Sequence, residues 1–176
     1  MSRRLSARDV AAVGMMVALI EACKLCMQAL PNIELTSFLL ILFALHFGRL
    51  TCYAVPVFIL IEGTVYGFGL WWVMYLYAWP LLVLAVRLFA RMDSAFFWAV
   101  FSGVFGLLFG LLCAVPYFFI GAAGGGIAMG LRQMFAWWVA GIPYDLIHGV
   151  SNFCLMLVLY RPMSRLLARL PQILSH

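Results

Sequence analysis

Hydrophobic residues run along this chain in long blocks, and short clusters of glycine, proline and charge separate them. The first block predicts a helix from Val10 to Leu30, ended by the breaker pair Pro31-Asn32. A second helix, from Glu34 to Phe47, is short for a bilayer crossing and is closed by Gly48-Arg49. A third runs from Cys52 to Tyr66, followed by the turn Gly67-Phe68-Gly69. The fourth covers Trp71 to Phe89 and is predicted to kink at Pro80, which lacks a backbone donor. After the tight turn Met92-Asp93-Ser94 a fifth helix extends from Ala95 to Ile120. Gly121 to Gly130, with Ala122-Ala123-Gly124-Gly125-Gly126 inside it, reads as the longest loop because glycine is flexible. A sixth helix is predicted from Phe135 to Tyr160, interrupted at Gly141-Ile142-Pro143. A short basic helix, Met163 to Leu170, then carries Arg165 and Arg169 on one face for the membrane surface.

Composition decides what these helices pack in. Of 176 residues, 67% are hydrophobic and 10% charged, against roughly 25% charged in a soluble domain. From Leu50 to Val86 the only charge is Glu62, and from Ser94 to Leu131 there is none. A crossing needs about 20 apolar residues, so the expected fold is an all-α integral membrane protein: one domain, residues 1–176, forming a six-transmembrane-helix bundle.

The excess of base over acid could suggest nucleic acid, but its distribution argues for a bilayer and against nucleic acid as a partner. Arg3, Arg4 and Arg8 precede the first helix, Arg49 follows the second, Arg87 and Arg91 the fourth, and Arg161, Arg165 and Arg169 the sixth. Positive residues mark cytoplasmic loops. Six crossings with N and C termini cytoplasmic put all of these on one side, leaving Arg132 alone outside, as expected of a multi-pass protein of the plasma membrane. The opening Ser-Arg-Arg resembles a twin-arginine signal, but Glu21 and Lys24 interrupt the apolar segment and no small-residue cleavage site follows. Five cysteines, mostly within helices, do not indicate disulfides, and the Cys23/Cys26 spacing lacks a second ligand pair. No metal site is expected.

A charge within the membrane costs roughly 2.5–3.5 kcal/mol on insertion scales, so each embedded polar group is a functional candidate. Lys24, Gln28 and Asn32 climb the outer half of the first helix, Glu34 opens the second, and Glu62 lies high in the third. Asp145, His148 and Asn152, at i, i+3 and i+7, share one face of the sixth, with Arg132 on the same side. His46 is the main embedded polar group of the inner half. The polar groups therefore converge on a cavity open to the outside. Packing offers a competing account for single pairs: Glu21 and Lys24 at i and i+3 neutralise one another, and Asp145 with His148 forms a hydrogen-bonded pair between helices.

Aromatic residues crowd the same side, among them Tyr66, Phe68, Trp71, Trp72, Tyr75, Tyr117, Phe118, Trp137 and Trp138. An interfacial belt explains some; others suit the wall of a pocket for a ring-bearing ligand. Small residues recur every fourth position in Gly14, Ala18 and Ala22 and again in Gly106, Gly110 and Ala114. Each stripe lets helices approach closely, and the first is also placed to meet a partner subunit. Lys24 is the sole lysine and no phosphate-binding loop is present, so the chain has no ATP site of that type. Hydrolase and zinc-protease motifs are absent too, and no enzyme is indicated.

From Arg8 to Pro162 the chain resembles the substrate-binding S components of energy-coupling factor (ECF) vitamin transporters. The likeness is carried by its size and helix count and by the stripe Gly14-x3-Ala18-x3-Ala22. Three segments add to it: Leu30-Pro-Asn-Ile-Glu-Leu-Thr-Ser37, Tyr66-Gly-Phe-Gly-Leu-Trp-Trp72, and Val139-Ala-Gly-Ile-Pro-Tyr-Asp-Leu-Ile-His-Gly-Val-Ser-Asn152. The resemblance implies a non-enzymatic binder that captures a vitamin from outside with high affinity. It implies docking of Ala18 and Ala22, extended by Gly14, on a transmembrane T component coupled to two cytosolic ATPases; ATP is used by those partners alone, and no cofactor is bound. Ligand would sit between the outer helix ends, closed by the first and the fifth-to-sixth loops. The segments around Pro31 and Gly141 are most similar to cobalamin-linked S components; riboflavin, pyridoxine-like, thiamine-precursor or folate ligands are the alternatives. On this basis Lys24, Asn32, Glu34, Glu62, Tyr66, Trp71, Trp72, Tyr75, Trp138, Asp145, His148 and Asn152 are the expected ligand-binding residues. The competing reading is a self-sufficient proton-coupled carrier using Glu62, Asp145 and His148 as a relay, although the internal duplication common in such carriers is not seen. A small membrane scaffold or membrane-embedded enzyme is a third.

Overall fold

In a computed structural model, residues 5–174 are described, with side chains through residue 169. Arg3, Arg4 and the Leu170 side chain lie outside these limits. The described chain is all-helical, in the order α1 (Ala7–Met27), α2 (Thr36–Phe47), α3 (Arg49–Tyr66), α4 (Leu70–Leu88) and α5 (Ala95–Leu174). Four of these, α1, α3, α4 and α5, are long and apolar enough to cross a membrane.

The fifth and sixth predicted helices meet directly at a kink within α5, because the glycine-rich segment between them is not a loop. α5 has 80 residues and departs from helical geometry only at Gly125 and Gly126, the latter at φ 76°, ψ −177°. The rest of Gly121 to Gly130 is helical. Glycine disfavours helix in water by about 1 kcal/mol relative to alanine, yet an apolar solvent leaves backbone groups no partner but each other. That makes helix the accessible state right up to the reversal. The limbs on either side, 95–124 and 127–174, pack backbone to backbone. A Cβ at Gly106 would lie 2.8 Å from Gly149 Cα, one at Gly121 2.9 Å from Gly130 Cα, and one at Gly110 would overlap Asp145. The stripe Gly106, Gly110 and Ala114 thus serves this internal seam, with Gly149 as its counterpart. Thirty residues of helix in the first limb span about 45 Å, more than the roughly 30 Å hydrocarbon core.

The prolines do not break helices. Gly141-Ile142-Pro143 and Pro162 lie in continuous helix, so the basic segment from Met163 is the end of α5 and not a separate surface helix. Pro116 deprives the Leu112 carbonyl of its intrahelical donor, and the Tyr77 hydroxyl donates to that carbonyl at 2.7 Å. α4 likewise runs through Pro80.

α2 lies at the centre of the bundle: nine consecutive residues, Thr36 to Ala44, are buried, and it packs against all four other helices. Its twelve residues measure about 18 Å, too short to cross alone. The chain joining it to α1, residues 28–35, is non-helical and contributes to the lining of a cavity. Such non-helical backbone is tolerated at membrane depth where it lines a cavity. At its other end, Gly48 at φ 52° reverses the chain into α3 in a single residue. α1 is peripheral. It buries Ala12, Val13, Met16, Val17 and Ile20 against its neighbours and leaves Gly14, Ala18 and Ala22 exposed, with open space around Gly14. This first stripe is not used in packing within the chain.

Candidate functional site

The polar groups divide between the two ends of the bundle. At one end, Arg87 donates to Cys52 Sγ at 3.4 Å, Arg161 reaches the Asp93 backbone carbonyl at 3.0 Å, and His46 bonds Ser164 at 2.8 Å. At the other, the C-terminal ends of α1 and α3, the N-terminal half of α4 and both limbs of α5 enclose a cavity of about 440 Å³ beneath residues 28–35. Lys24, Asn32, Glu34, Glu62, Tyr66, Trp71, Tyr75 and His148, all predicted site residues, line it.

Each charged side chain is held by a different part of the fold. Lys24, in the last turn of α1, pairs with Glu62 of α3 at 2.5 Å and not with Glu21 one turn earlier, as the i, i+3 spacing suggested. Its ammonium is also 3.4 Å from the Tyr75 hydroxyl and lies over the rings of Phe58 and Tyr75, 5.4 and 5.3 Å from their centroids. Glu62 is 2% exposed, and besides Lys24 its carboxylate has the Glu21 carboxyl of α1 within hydrogen-bond reach. Glu34 accepts from Thr36 Oγ1 at 3.1 Å with one carboxylate oxygen and brings the other within 3.6 Å of His148 Nε2. That separation is too long for a hydrogen bond, and His148 Nε2 is unpartnered among the described residues. The imidazole, 2% exposed, meets the Phe109 ring edge-on at 5.1 Å.

Four predicted residues do not line this cavity. Trp72 lies between α3 and α4: its Nε1 donates to the Ile59 carbonyl at 2.7 Å and its ring meets Phe68 edge-on. Trp138 meets Phe135 edge-on at 6.1 Å. Asn152 is fully buried, its amide 3.5 Å from the Ser102 carbonyl. Asp145 accepts from the Gly110 amide at 2.9 Å, so it bonds the facing limb of α5 and not His148. It opens instead on a second cavity of about 370 Å³, with Asn32 and Phe109 shared between the two. Glu62, Asp145 and His148 thus face three different neighbours.

The sequence reading missed Phe58 and Phe109. Both belong to apolar runs that carry no polar signal, and only packing singles them out. Asn32 adopts φ 57°, a left-handed geometry that asparagine tolerates better than most residues, where it turns the chain between α1 and α2. Comparison with known proteins finds no matching family model, no matching curated protein and no matching solved structure.

Proposed function

We propose that this chain is the substrate-binding S component of an ECF-type vitamin transporter of the plasma membrane. It would have six crossings, made by α1 to α4 and the two limbs of α5, with both termini cytoplasmic. The observation that carries the reading is the cavity beneath residues 28–35: ring and polar side chains from four helices surround it, at the bundle end opposite the Arg87 and Arg161 cluster. By the positive-inside rule the arginine end faces the cytosol, and the cavity then opens outward to capture ligand. A ring-bearing small molecule suits its size, since such sites run from about 300 to 1,000 Å³. Cobalamin, the ligand the resemblance favours, would need the cavities on either side of Asn32 and Phe109 to open into one.

Transport would be driven by partners. The outward-facing Gly14, Ala18 and Ala22 offer a smooth strip to a transmembrane T component, which would couple to two cytosolic ATPases. The test is affinity purification of the full chain from its native membrane, with mass spectrometry of proteins and small molecules together. The expected result is a T component, two ATPases and a vitamin. Uptake by the chain alone in proteoliposomes, driven by a proton gradient, would refute the proposal in favour of a self-sufficient carrier.

A further inference from the structure

Among the charged side chains lining the cavity beneath residues 28–35 there is one cation, Lys24, against two carboxylates, Glu34 and Glu62. Lys24 spends its charge on Glu62, so Glu34 faces the cavity without a cationic partner in its wall. Its contacts are a hydroxyl and an imidazole, and Arg132 is exposed on the far limb, away from the cavity lining. A buried polar atom in the lining, His148 Nε2, has no hydrogen-bond partner among the described residues. A buried polar atom left so is costly unless a ligand bonds to it. The remaining wall offers the ring of Trp71 and the half-exposed ring of Tyr66, and aromatic faces attract cations.

Together these features ask the ligand to supply positive charge and donors, and they repel a carboxylate or phosphate. We infer that the site selects a ring-bearing ligand with a cationic centre, placed between Glu34 and the rings of Tyr66 and Trp71. This rests on the proposal that the cavity is a ligand site, and it favours vitamins carrying such a centre over cobalamin, whose nucleotide tail holds a phosphodiester.

The test uses the full chain in lipid nanodiscs and three probes that share one ring: benzyltrimethylammonium, benzyl alcohol and phenylacetate. Trp71 lines the cavity, so quenching of tryptophan fluorescence reports occupancy, with Trp71→Phe as the control for the signal. The expected order of affinity is cation, then alcohol, then carboxylate. Glu34→Gln should weaken the cation at least about ten-fold, the loss of one charge-assisted contact, and leave the alcohol unchanged. Glu34→Lys should bring phenylacetate binding up to or above that of the cation. Glu34 lies in the partly exposed segment before α2, and an unchanged elution profile verifies that both variants fold. Phenylacetate binding as well as the cation to the unaltered chain would overturn the inference, as would the absence of binding by all three. Neither result touches the co-purification of partners, so the transporter proposal fails or stands separately.

Discussion

Removing Lys24 should damage the protein far more than removing the carboxylate it holds. Glu62 is 2% exposed and receives the Lys24 ammonium on Oε2, while the Glu21 carboxyl lies beside the same carboxylate. In Lys24→Met the carboxylate loses its cation. Breaking a buried pair in this way costs about 3–5 kcal/mol, because an uncompensated charge stays behind. Glu62→Gln is different. Lys24 is more exposed, at 17%, and keeps the Tyr75 hydroxyl at 3.4 Å and two ring faces within 5.4 Å. Cation–π contacts are worth about 0.5–2 kcal/mol each, so this loss should come to roughly 1–3 kcal/mol. The double variant Lys24→Met/Glu62→Met buries apolar side chains where two charges were, a replacement that is often neutral, and should fall within about 1.5 kcal/mol of the parent. Reversible unfolding of purified protein in mixed micelles, followed by circular dichroism, supplies the three differences and hence the coupling. Equal losses in the two single variants, adding up in the double, would refute the reasoning, since the ion pair would then contribute nothing as a pair.

Further outcomes follow from other contacts. Tyr77→Phe should destabilise the fold by about 1–3 kcal/mol by leaving the Leu112 carbonyl unsatisfied; Pro116→Ala supplies the missing helical donor, so the Tyr77→Phe penalty measured in that background should largely disappear. Gly106→Ala places a methyl group against the backbone of the facing limb, and thermal unfolding should register a loss of roughly 1–3 kcal/mol, as overpacking does. Gly14→Ala, in open space, should leave stability within about 0.5 kcal/mol of the parent. On the proposed function, Ala18→Trp or Ala22→Trp, both on the exposed face of α1, should abolish uptake with the partner subunits while ligand binding by the isolated chain persists; loss of both would indicate a folding defect. If the cavity holds a ligand as proposed, His148→Ala should weaken its retention at least about ten-fold, and unchanged retention would separate the imidazole from the site.

Hydrophobicity alone established that this is a helical chain with several segments able to cross a bilayer, because the solvent around a helix is written in composition. The gathering of Lys24, Glu34, Glu62, Trp71, Tyr75 and His148 was also legible. Once helices alternate in direction, a residue's depth follows from its distance to the nearest turn, and side chains of equal depth are neighbours. Tertiary structure decided what depth cannot. It paired Lys24 with Glu62 and not with Glu21, and turned Asp145 toward Gly110 and away from His148, since helix rotation is set by packing against neighbours and not by local spacing. It kept Gly121 to Gly130 helical except at Gly125 and Gly126, because the facing limb and an apolar surrounding outweigh the flexibility that glycine shows in water. Of two stripes with the same four-residue period, it set Gly106, Gly110 and Ala114 into the seam of α5 and left Gly14, Ala18 and Ala22 on the outside. Spacing alone cannot tell these apart, because a smooth helix face suits a neighbour in the same chain and a separate subunit equally well.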